Sequence, residues 1–388
     1  MSPNTGAPPI FRTRRDAELT AAIYRRMPVL SDDTRHDPNP WDISFKYVFR
    51  SQNDEDILRR REELEREGWR LEGSIFTRDG KRMLPMYEAK MVDFFNHRAA
   101  DVVKSETAVN RQNQPRYLSV AEIRDPHRFA MPMHWIEEHG PIKINKNGKE
   151  RLFSGVSERL TDEAWEREWL CGWCDVTAST NERTAIPVLI PRTATLNTFP
   201  VMFSRVEPAL VAALVATQSS LVFDYVSRQK IGGTHMTQLV WKQLPVPTPT
   251  ALEPNLPLIA PRVLELVYTA YDMTPLARDL GDQGEPFRWD EDRRAQLRAE
   301  LDAFFFRVYG IDDRDDVDYI LETFQTETGG LKHNEIRDHG EYRTKRLVLA
   351  EYDRMAVADA AGVPYESPLT LPPGQGPRHP GRGGGGGG

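Results

Sequence analysis

The chain is poor in cysteine and in long apolar runs, and both shortages restrict what it can be. Cys171 and Cys174 are the only cysteines among 388 residues, too few for the disulfide framework of a secreted protein. The most apolar run, residues 209–216, is far shorter than the roughly twenty residues of a membrane-spanning helix. The N-terminus also lacks the basic and apolar regions of a signal peptide. These absences predict a cytoplasmic protein with no membrane partner.

Motifs for nucleotide binding and catalysis are also missing. Gly-x-Gly-x-x-Gly occurs only within the low-complexity glycine run 381–388, and Gly-x-x-x-x-Gly-Lys-Ser/Thr does not occur, so no phosphate-cradling loop of either type is predicted. The two Pro-Pro pairs, at 8–9 and 372–373, lack both the preceding Asn or Asp and the following aromatic residue of the amino-methyltransferase signature. Gly-x-Ser-x-Gly and His-Glu-x-x-His are missing too. The sequence therefore predicts no catalytic residue, no metal and no cofactor in this chain.

The spacing of Cys171-Gly-Trp-Cys174 is that of half a zinc site or of a redox pair. A structural zinc ion needs four ligands, and no second cysteine pair exists. His127, His134 and His139 do not have the spacing of a zinc finger. Buried apolar cysteines are the better interpretation, with a metal or redox role as the alternative.

Charge is distributed unevenly along the chain, whose formal net charge is −7. Residues 1–250 carry 35 basic and 33 acidic side chains, whereas residues 251–388 carry 16 and 25. Residues 176–250 include six basic and three acidic side chains. The middle segment is therefore compatible with a polyanion such as DNA, and the last third is not.

Hydrophobic periodicity predicts an α+β protein, a mixed α/β region followed by helices. The predicted helices cover residues 19–27, 54–68, the surroundings of Trp165 and Trp169, 209–230, 263–271 and 291–309. The predicted strands are 83–91 with 94–95, an edge strand at 185–190 that is interrupted by proline, and 239–244. The acidic pairs at 312–316 indicate the N-terminus of a further helix.

Changes in composition predict four segments. Residues 1–40 form an N-terminal connecting segment, and 41–250 form the mixed α/β region. The proline-rich stretch 245–261 marks the boundary to a helical support region, 251–362. The Pro- and Gly-rich tail, 363–388, is predicted to be disordered.

Five ordered motifs resemble the carboxy-terminal half of type IIG-like and DISARM-type site-specific adenine DNA methyltransferases, which serve restriction-modification and phage defence. They are PNTG (3–6) with IFRTRRDAEL (10–19), PMYEAKM (85–91) with FNHRA (95–99), STNERTAI (179–186), DYVSRQKIGG (224–233) with QLPV (243–246), and LDA (301–303) to YGI (309–311) with DVDYIL (316–321). The resemblance is collinear from about residue 2 to residue 356.

In that family the catalytic half precedes the matched region and holds the S-adenosylmethionine pocket. The resemblance therefore implies a DNA target-recognition region without the part that transfers the methyl group. The expected partners are double-stranded DNA and a separate methyltransferase catalytic subunit or other defence-system subunits. S-adenosylmethionine is expected in the missing half.

The same motifs supply candidate DNA-binding residues. Together with Lys242 they are Lys90, Arg98, Arg183, Thr184, Arg228, Lys230, Gly232 and Gly233. A residue shared by members that recognise different DNA sequences cannot set specificity, so each of these either contacts phosphate or braces the fold. Bases are then expected to be read from less typical segments, around residues 103–160.

A second hypothesis assigns the chain to a different class of protein. In this alternative it is a scaffold or adaptor that reads no DNA sequence and docks another defence subunit through its acidic helical third. Charge reversal at Arg183 and Arg228 separates the two hypotheses, because only the DNA-binding one expects weaker binding and a flatter salt dependence.

Overall fold

A computed structural model describes residues 3, 6, 9–34, 37, 39–107 and 112–381 of the chain. Within this range helices and sheets are both abundant, and the helices dominate after residue 207. The predicted α+β class is therefore confirmed. Asn4 and Thr5 of the first motif lie outside the described residues, as does the glycine-rich run 382–388.

Thirteen strands occur in the described part of the chain. In chain order they are β1 (Ile43–Lys46), β2 (Arg70–Glu72), β3 (Ile75–Arg78), β4 (Lys81–Tyr87), β5 (Ala100–Lys104), β6 (Asn113–Tyr117), β7 (Trp135–Glu137), β8 (Ile142–Lys146), β9 (Lys149–Phe153), β10 (Trp169–Trp173), β11 (Pro187–Pro191), β12 (Ala194–Thr195) and β13 (Val201–Ser204). They form two sheets and two separate hairpins, β5–β6 and β8–β9.

The first sheet is antiparallel with strand order β1-β13-β10-β11. Pro187 and Pro191 pair with Trp173 and Trp169 at the two ends of β11. Proline has no N–H to donate to a further strand, so β11 lies at the edge, as the sequence predicts. In the second sheet the order is β12-β4-β3-β2, with β7 also on β4 and with β12 parallel to β4.

The helices of the described residues follow the same chain order. They are α1 (Arg14–Arg26), α2 (Ser51–Asp54), α3 (Arg61–Arg66), α4 (Val120–Arg124), α5 (Val156–Thr161), α6 (Pro208–Ser219), α7 (Leu221–Arg228), α8 (Gln238–Trp241), α9 (Pro249–Leu252), α10 (Leu256–Val267), α11 (Thr274–Asp279), α12 (Glu291–Val308), α13 (Arg314–Glu322), α14 (Leu331–His339) and α15 (Arg343–Ala361).

Helix α6 is apolar on every side and is accordingly buried on every side, between β11 and α10. The predicted single helix 209–230 is wrong in one respect, because the chain bends by 56° at Ser220. The Ser220 hydroxyl accepts from the Phe223 N–H and starts α7 as its N-cap. Among the described residues no single helix is long and apolar enough to cross a membrane; only the bent pair α6–α7 has that composition.

Three local predictions need correction. Trp169 opens β10 rather than continuing a helix, and its indole donates to Asp279 at 2.7 Å. The stretch predicted as a strand at 239–244 begins inside helix α8, which Thr237 caps. The predicted helix 54–68 is broken, with a 3-10 turn at 55–57 before α3. In each case tertiary or capping contacts outweigh a short apolar pattern.

The proline-rich stretch 245–261 is packed rather than extended. Val246 donates its N–H to the Pro28 carbonyl at 2.9 Å, and α9 and the first half of α10 lie within the stretch. Helix α10 begins at Leu256 instead of residue 263, with Pro257 in its first turn, where proline is tolerated. One apolar cluster runs from Ile23 to Met355, so the core is continuous across residue 250.

The later helices agree well with the sequence. Helix α12 matches the predicted 291–309 to within one residue. Asp313 caps α13, so the acidic pairs at 312–316 do mark a helix N-terminus.

The tail is ordered where disorder was predicted, at least for residues 363–381. Arg378 forms an ion pair with Asp282 at 2.7 Å and covers the Phe287 ring at 3.8 Å from its centroid. Gly374 donates its N–H to Glu265 at 2.8 Å. Composition alone missed this because a few specific contacts, rather than a core of its own, hold the segment.

Deleting residues 364–388 should destabilise the protein. Phe287 would lose its cover and the buried Glu265 would lose a donor, so we expect the free energy of unfolding to fall by about 2–4 kcal/mol. Urea denaturation measures the change. The matched control deletes only 382–388 and should leave the urea midpoint of unfolding unchanged. Equal midpoints for the two deletions would contradict a stabilising role of residues 364–381.

Candidate nucleic-acid interface

A buried carboxylate organises the middle motifs of the chain. Asp224, on α7, is fully buried. Arg183 donates to it at 2.8 Å, the Thr184 N–H at 3.0 Å and Arg228 at 3.1 Å. Two arginines and a backbone donor thus compensate a charge that would otherwise be very costly to remove from water. We call this cluster of four residues the Asp224 hub.

The hub fixes the segment 176–184, here called the 176–184 loop. The Thr184 hydroxyl donates to the Ala178 carbonyl at 2.9 Å. The guanidinium of Arg228 donates to three further carbonyls of the loop, those of Ser179 (3.1 Å), Asn181 (2.7 Å) and Glu182 (2.6 Å). Because charged donors hold its backbone at several points, the loop has a defined shape.

The hub also connects different parts of the fold. The Arg183 guanidinium lies 4.7 Å from the centroid of Phe94, and that of Arg228 lies 4.3 Å from Phe324, which follows α13. On α12, Asp302 accepts the N–H of Leu221 at 2.7 Å. Burial raises the pKa of Asp302 to about 6 and lowers that of Arg228 below its ordinary value. The helical third therefore supports the hub directly.

Helix α7 leads from the hub into residues 231–237, here called the Gly loop. Two backbone hydrogen bonds join the Gly loop to neighbouring residues. The Thr177 N–H, in the 176–184 loop, donates to the Thr234 carbonyl, and the Met236 N–H donates to the carbonyl of Asp175, just before that loop. The His235 ring lies 3.0 Å from the Asp175 carboxylate. Both loops are thus held by the same framework.

Gly232 and Gly233 are exposed, and nothing in the fold requires them to be glycine. Neither has a φ in the left-handed region, and a Cβ at either position would meet no atom within 4 Å. Their N–H groups find no acceptor among the residues that the structure describes. The Gly loop therefore presents free backbone donors at a place where another molecule can come very close.

Two lysines of the candidate set lie near this surface. The Lys242 ammonium is 5.3 Å from the centroid of Phe45, and no carboxylate of the described residues lies within salt-bridge distance. Lys230 is half-buried beside the Tyr24 ring, and burial lowers its pKa to about 8. Because no described carboxylate pairs with it, Lys242 is the candidate cation for an external anion.

Lys90 and Arg98 lie elsewhere and are engaged with the protein. Lys90 is 3.1 Å from Glu88 and donates to the Asn113 carbonyl at 3.0 Å, next to the β5–β6 hairpin. Arg98 is completely buried, and burial lowers its pKa to about 10. Its guanidinium donates to the carbonyls of Ile123, Asp125, Arg128 and Thr269.

The candidate residues thus separate into two groups. Arg98, Arg183 and Thr184 have buried side chains, and that of Arg228 is 10% exposed. Most of their donors bind groups of the protein itself, which favours the bracing role that the sequence left open. Gly232 and Gly233 are exposed, whereas Lys230 and Lys242 are intermediate in exposure. Lys90 is partly exposed and already paired.

Both hairpins lie largely inside the segment 103–160, where the sequence predicts base reading. The β8–β9 hairpin turns at Asn147 and Gly148, whose φ values are 54° and 72°. Sequence reasoning missed it, although Asn-Gly between two short alternating stretches is a strong hairpin signal. The four residues 108–111 of the β5–β6 turn lie outside the described part of the chain.

The cysteines have the environment expected of apolar core residues. Cys171 and Cys174 are buried, and burial raises the pKa of both thiols. Within the described ranges no group of three or more His, Cys, Asp or Glu side chains is arranged to hold a metal ion.

Comparisons with protein-family models, with curated proteins and with solved structures find no match to this chain.

Replacing Asp224 by Asn should destabilise the fold strongly. Two nearly buried arginines would lose their counter-charge, so we expect a loss of about 3–5 kcal/mol in the free energy of unfolding. Asp353→Asn is the matched control, because its pair with Arg314 is half-exposed and should contribute at most about 1 kcal/mol. Urea denaturation of both variants measures the two losses. Similar small losses of unfolding free energy in both would contradict a stabilising role of the Asp224 hub.

Proposed function

We propose that this chain is the DNA target-recognition portion of a site-specific adenine DNA methyltransferase. The given sequence contains no S-adenosylmethionine or catalytic motif, and the proposal assigns methyl transfer to a catalytic partner that carries them. The motifs of the sequence suggest the reaction class. The geometry of the Gly loop supports the DNA contact.

One observation carries the proposal. The two glycines of the Gly loop are exposed, nothing within the chain requires glycine at either position, and their N–H groups have no acceptor among the described residues. A side chain would be sterically acceptable within the chain itself at both positions. Glycine is then explained by an external partner that comes so close to the loop backbone that a side chain would be in its way. A phosphate group is such a partner, since backbone N–H groups commonly hold the DNA backbone.

The surroundings of the Gly loop fit an anion as well. Lys242 supplies a cation without a carboxylate partner among the described residues. His235 is about half-exposed and adds a ring that is positively charged when protonated. Two backbone hydrogen bonds, to Asp175 and Thr177, tie the Gly loop to the region that the Asp224 hub holds, which reduces the conformational entropy lost when DNA binds.

The buried motif residues are consistent with this division of roles. The side chains of Arg183 and Arg228 are only 5% and 10% exposed, and they shape the 176–184 loop. A shared framework of this kind would suit proteins that recognise different sequences. Sequence reading then belongs to elements outside the shared motifs.

Alanine at both glycines should weaken DNA binding without affecting the fold. For Gly232→Ala combined with Gly233→Ala we expect an unchanged melting temperature and about tenfold weaker binding, because each methyl group keeps a phosphate away from the N–H donors. Fluorescence anisotropy with a labelled 30-base-pair duplex measures it. Gly329→Ala, at another glycine with an unstrained φ and no close contact, is the control.

A salt titration in the same assay distinguishes contacts made by backbone N–H groups from contacts made by a charged side chain. The glycine variant should keep the wild-type slope of log K against log salt, since no charge is lost. Lys242→Ala should flatten the slope by about 1. Wild-type protein that binds no duplex at 50 mM salt would overturn the proposal and favour the scaffold hypothesis.

A methylation assay tests the assignment to a methyltransferase. A catalytic subunit that lacks its own recognition region should methylate adenine at a defined site only when this chain is added. The same methylation pattern with and without the chain would refute the assignment.

A further inference from the structure

The β8–β9 hairpin stands apart from both sheets as a two-stranded ribbon. Its register pairs Ile142 with Phe153 at the base and Lys146 with Lys149 beside the turn. Each strand has five residues, about 17 Å of extended chain. From Lys143 to Leu152 every residue except Ile144 is exposed.

The two faces of this ribbon differ in chemistry. One face begins with the buried Ile142 and continues to Lys146 and Arg151, which both pair with Asp56, at 2.5 Å and 2.6 Å. Asp56 lies in the 3-10 turn 55–57 and thus attaches the ribbon to the body of the protein.

The other face points away from that attachment. It consists of two cross-strand pairs, Lys143 with Leu152 and Asn145 with Glu150. Leu152 is 61% exposed, an unusual position for a leucine on a ribbon whose other face is already packed at its base. We call these four residues the outward face.

The segment 47–57 follows β1 and leads to the anchor of the ribbon. Asp56, near its end, holds the ribbon. Arg50, within the segment, is exposed and stacks on Tyr47. The short segment that anchors the ribbon therefore also carries an exposed cation.

We propose that the outward face of the β8–β9 hairpin reads bases in the major groove of double-stranded DNA. The inference rests on the proposed function and adds the element that sets specificity. A two-stranded ribbon fits a major groove about 12 Å wide and 8.5 Å deep.

The side chains of the outward face match the groups exposed in that groove. The Asn145 amide suits adenine, which offers one donor and one acceptor, and the Lys143 ammonium suits the two acceptors of guanine. Glu150 accepts from the amino group of cytosine, and Leu152 contacts the methyl group of thymine. Lys149, which forms no ion pair among the described residues, lies beside the turn and contacts phosphate.

The test is selection of bound duplexes from a randomised library, followed by sequencing and competition binding. Wild-type protein should enrich one sequence. Asn145→Ala should reduce the preference for that sequence over its single-base variants by about 5- to 150-fold at one or two positions, while binding to mixed-sequence DNA changes less than about threefold. Gln283→Ala, an exposed amide of the helical third, is the control and should leave the preference unchanged.

A second pair of variants distinguishes reading from general attraction. Lys149→Ala should weaken binding to all duplexes alike and flatten the salt slope by about 1. Asp56→Asn releases one anchor of the ribbon and should reduce the sequence preference while circular dichroism shows the fold intact.

The possible failures of the two proposals are distinguishable. Binding with a sequence preference that Lys143→Ala, Asn145→Ala and Glu150→Gln all leave unaltered overturns the inference and leaves DNA target recognition standing. Binding without any preference also overturns the inference. Absence of DNA binding at 50 mM salt overturns both.

Discussion

The Asp224 carboxylate, buried between two arginines, is the interaction on which the middle of this protein depends. A charge in the interior is tolerated only when opposite charges and hydrogen bonds surround it, so the residues that supply them are held in fixed positions. Arg183 and Thr184 bring in the 176–184 loop, Arg228 fixes its carbonyls, and Phe324 covers Arg228 from the helical third. One buried anion therefore fixes a loop, a helix and the contact between two regions.

This arrangement changes how the basic residues of the motifs are interpreted. An arginine in a candidate DNA-binding motif is often assumed to touch phosphate, yet the guanidinium groups of Arg98 and Arg183 donate to groups inside the fold. The groups left for an external partner are more modest: two glycine N–H groups, a lysine and a histidine. Because backbone donors carry no sequence information, the proposed base-reading role falls to the β8–β9 hairpin.

The sequence predicted those elements whose signals are local. Helix α12 has a long apolar stripe with an Asp cap and a Gly stop, and β11 carries prolines that only an edge strand accommodates. The prediction of secondary structure and order failed where contacts with other parts of the chain determine the conformation. Residues 239–244 have an apolar pattern too short to separate helix from strand, and Thr237 settles it by capping. The tail at 363–381 is ordered by Arg378 and its partners, which composition cannot reveal.

The sequence by itself determined the α+β class, the uneven charge, the absence of catalytic motifs and the set of candidate residues. These properties follow from residue types and short spacings, which are present in the chain before it folds. Only the tertiary structure decided which candidates are buried and which are exposed, because burial depends on contacts between residues such as Arg183 and Asp224 that lie far apart in sequence. The same packing placed Gly232, Gly233 and the outward face of the hairpin on the surface, where they can meet a partner.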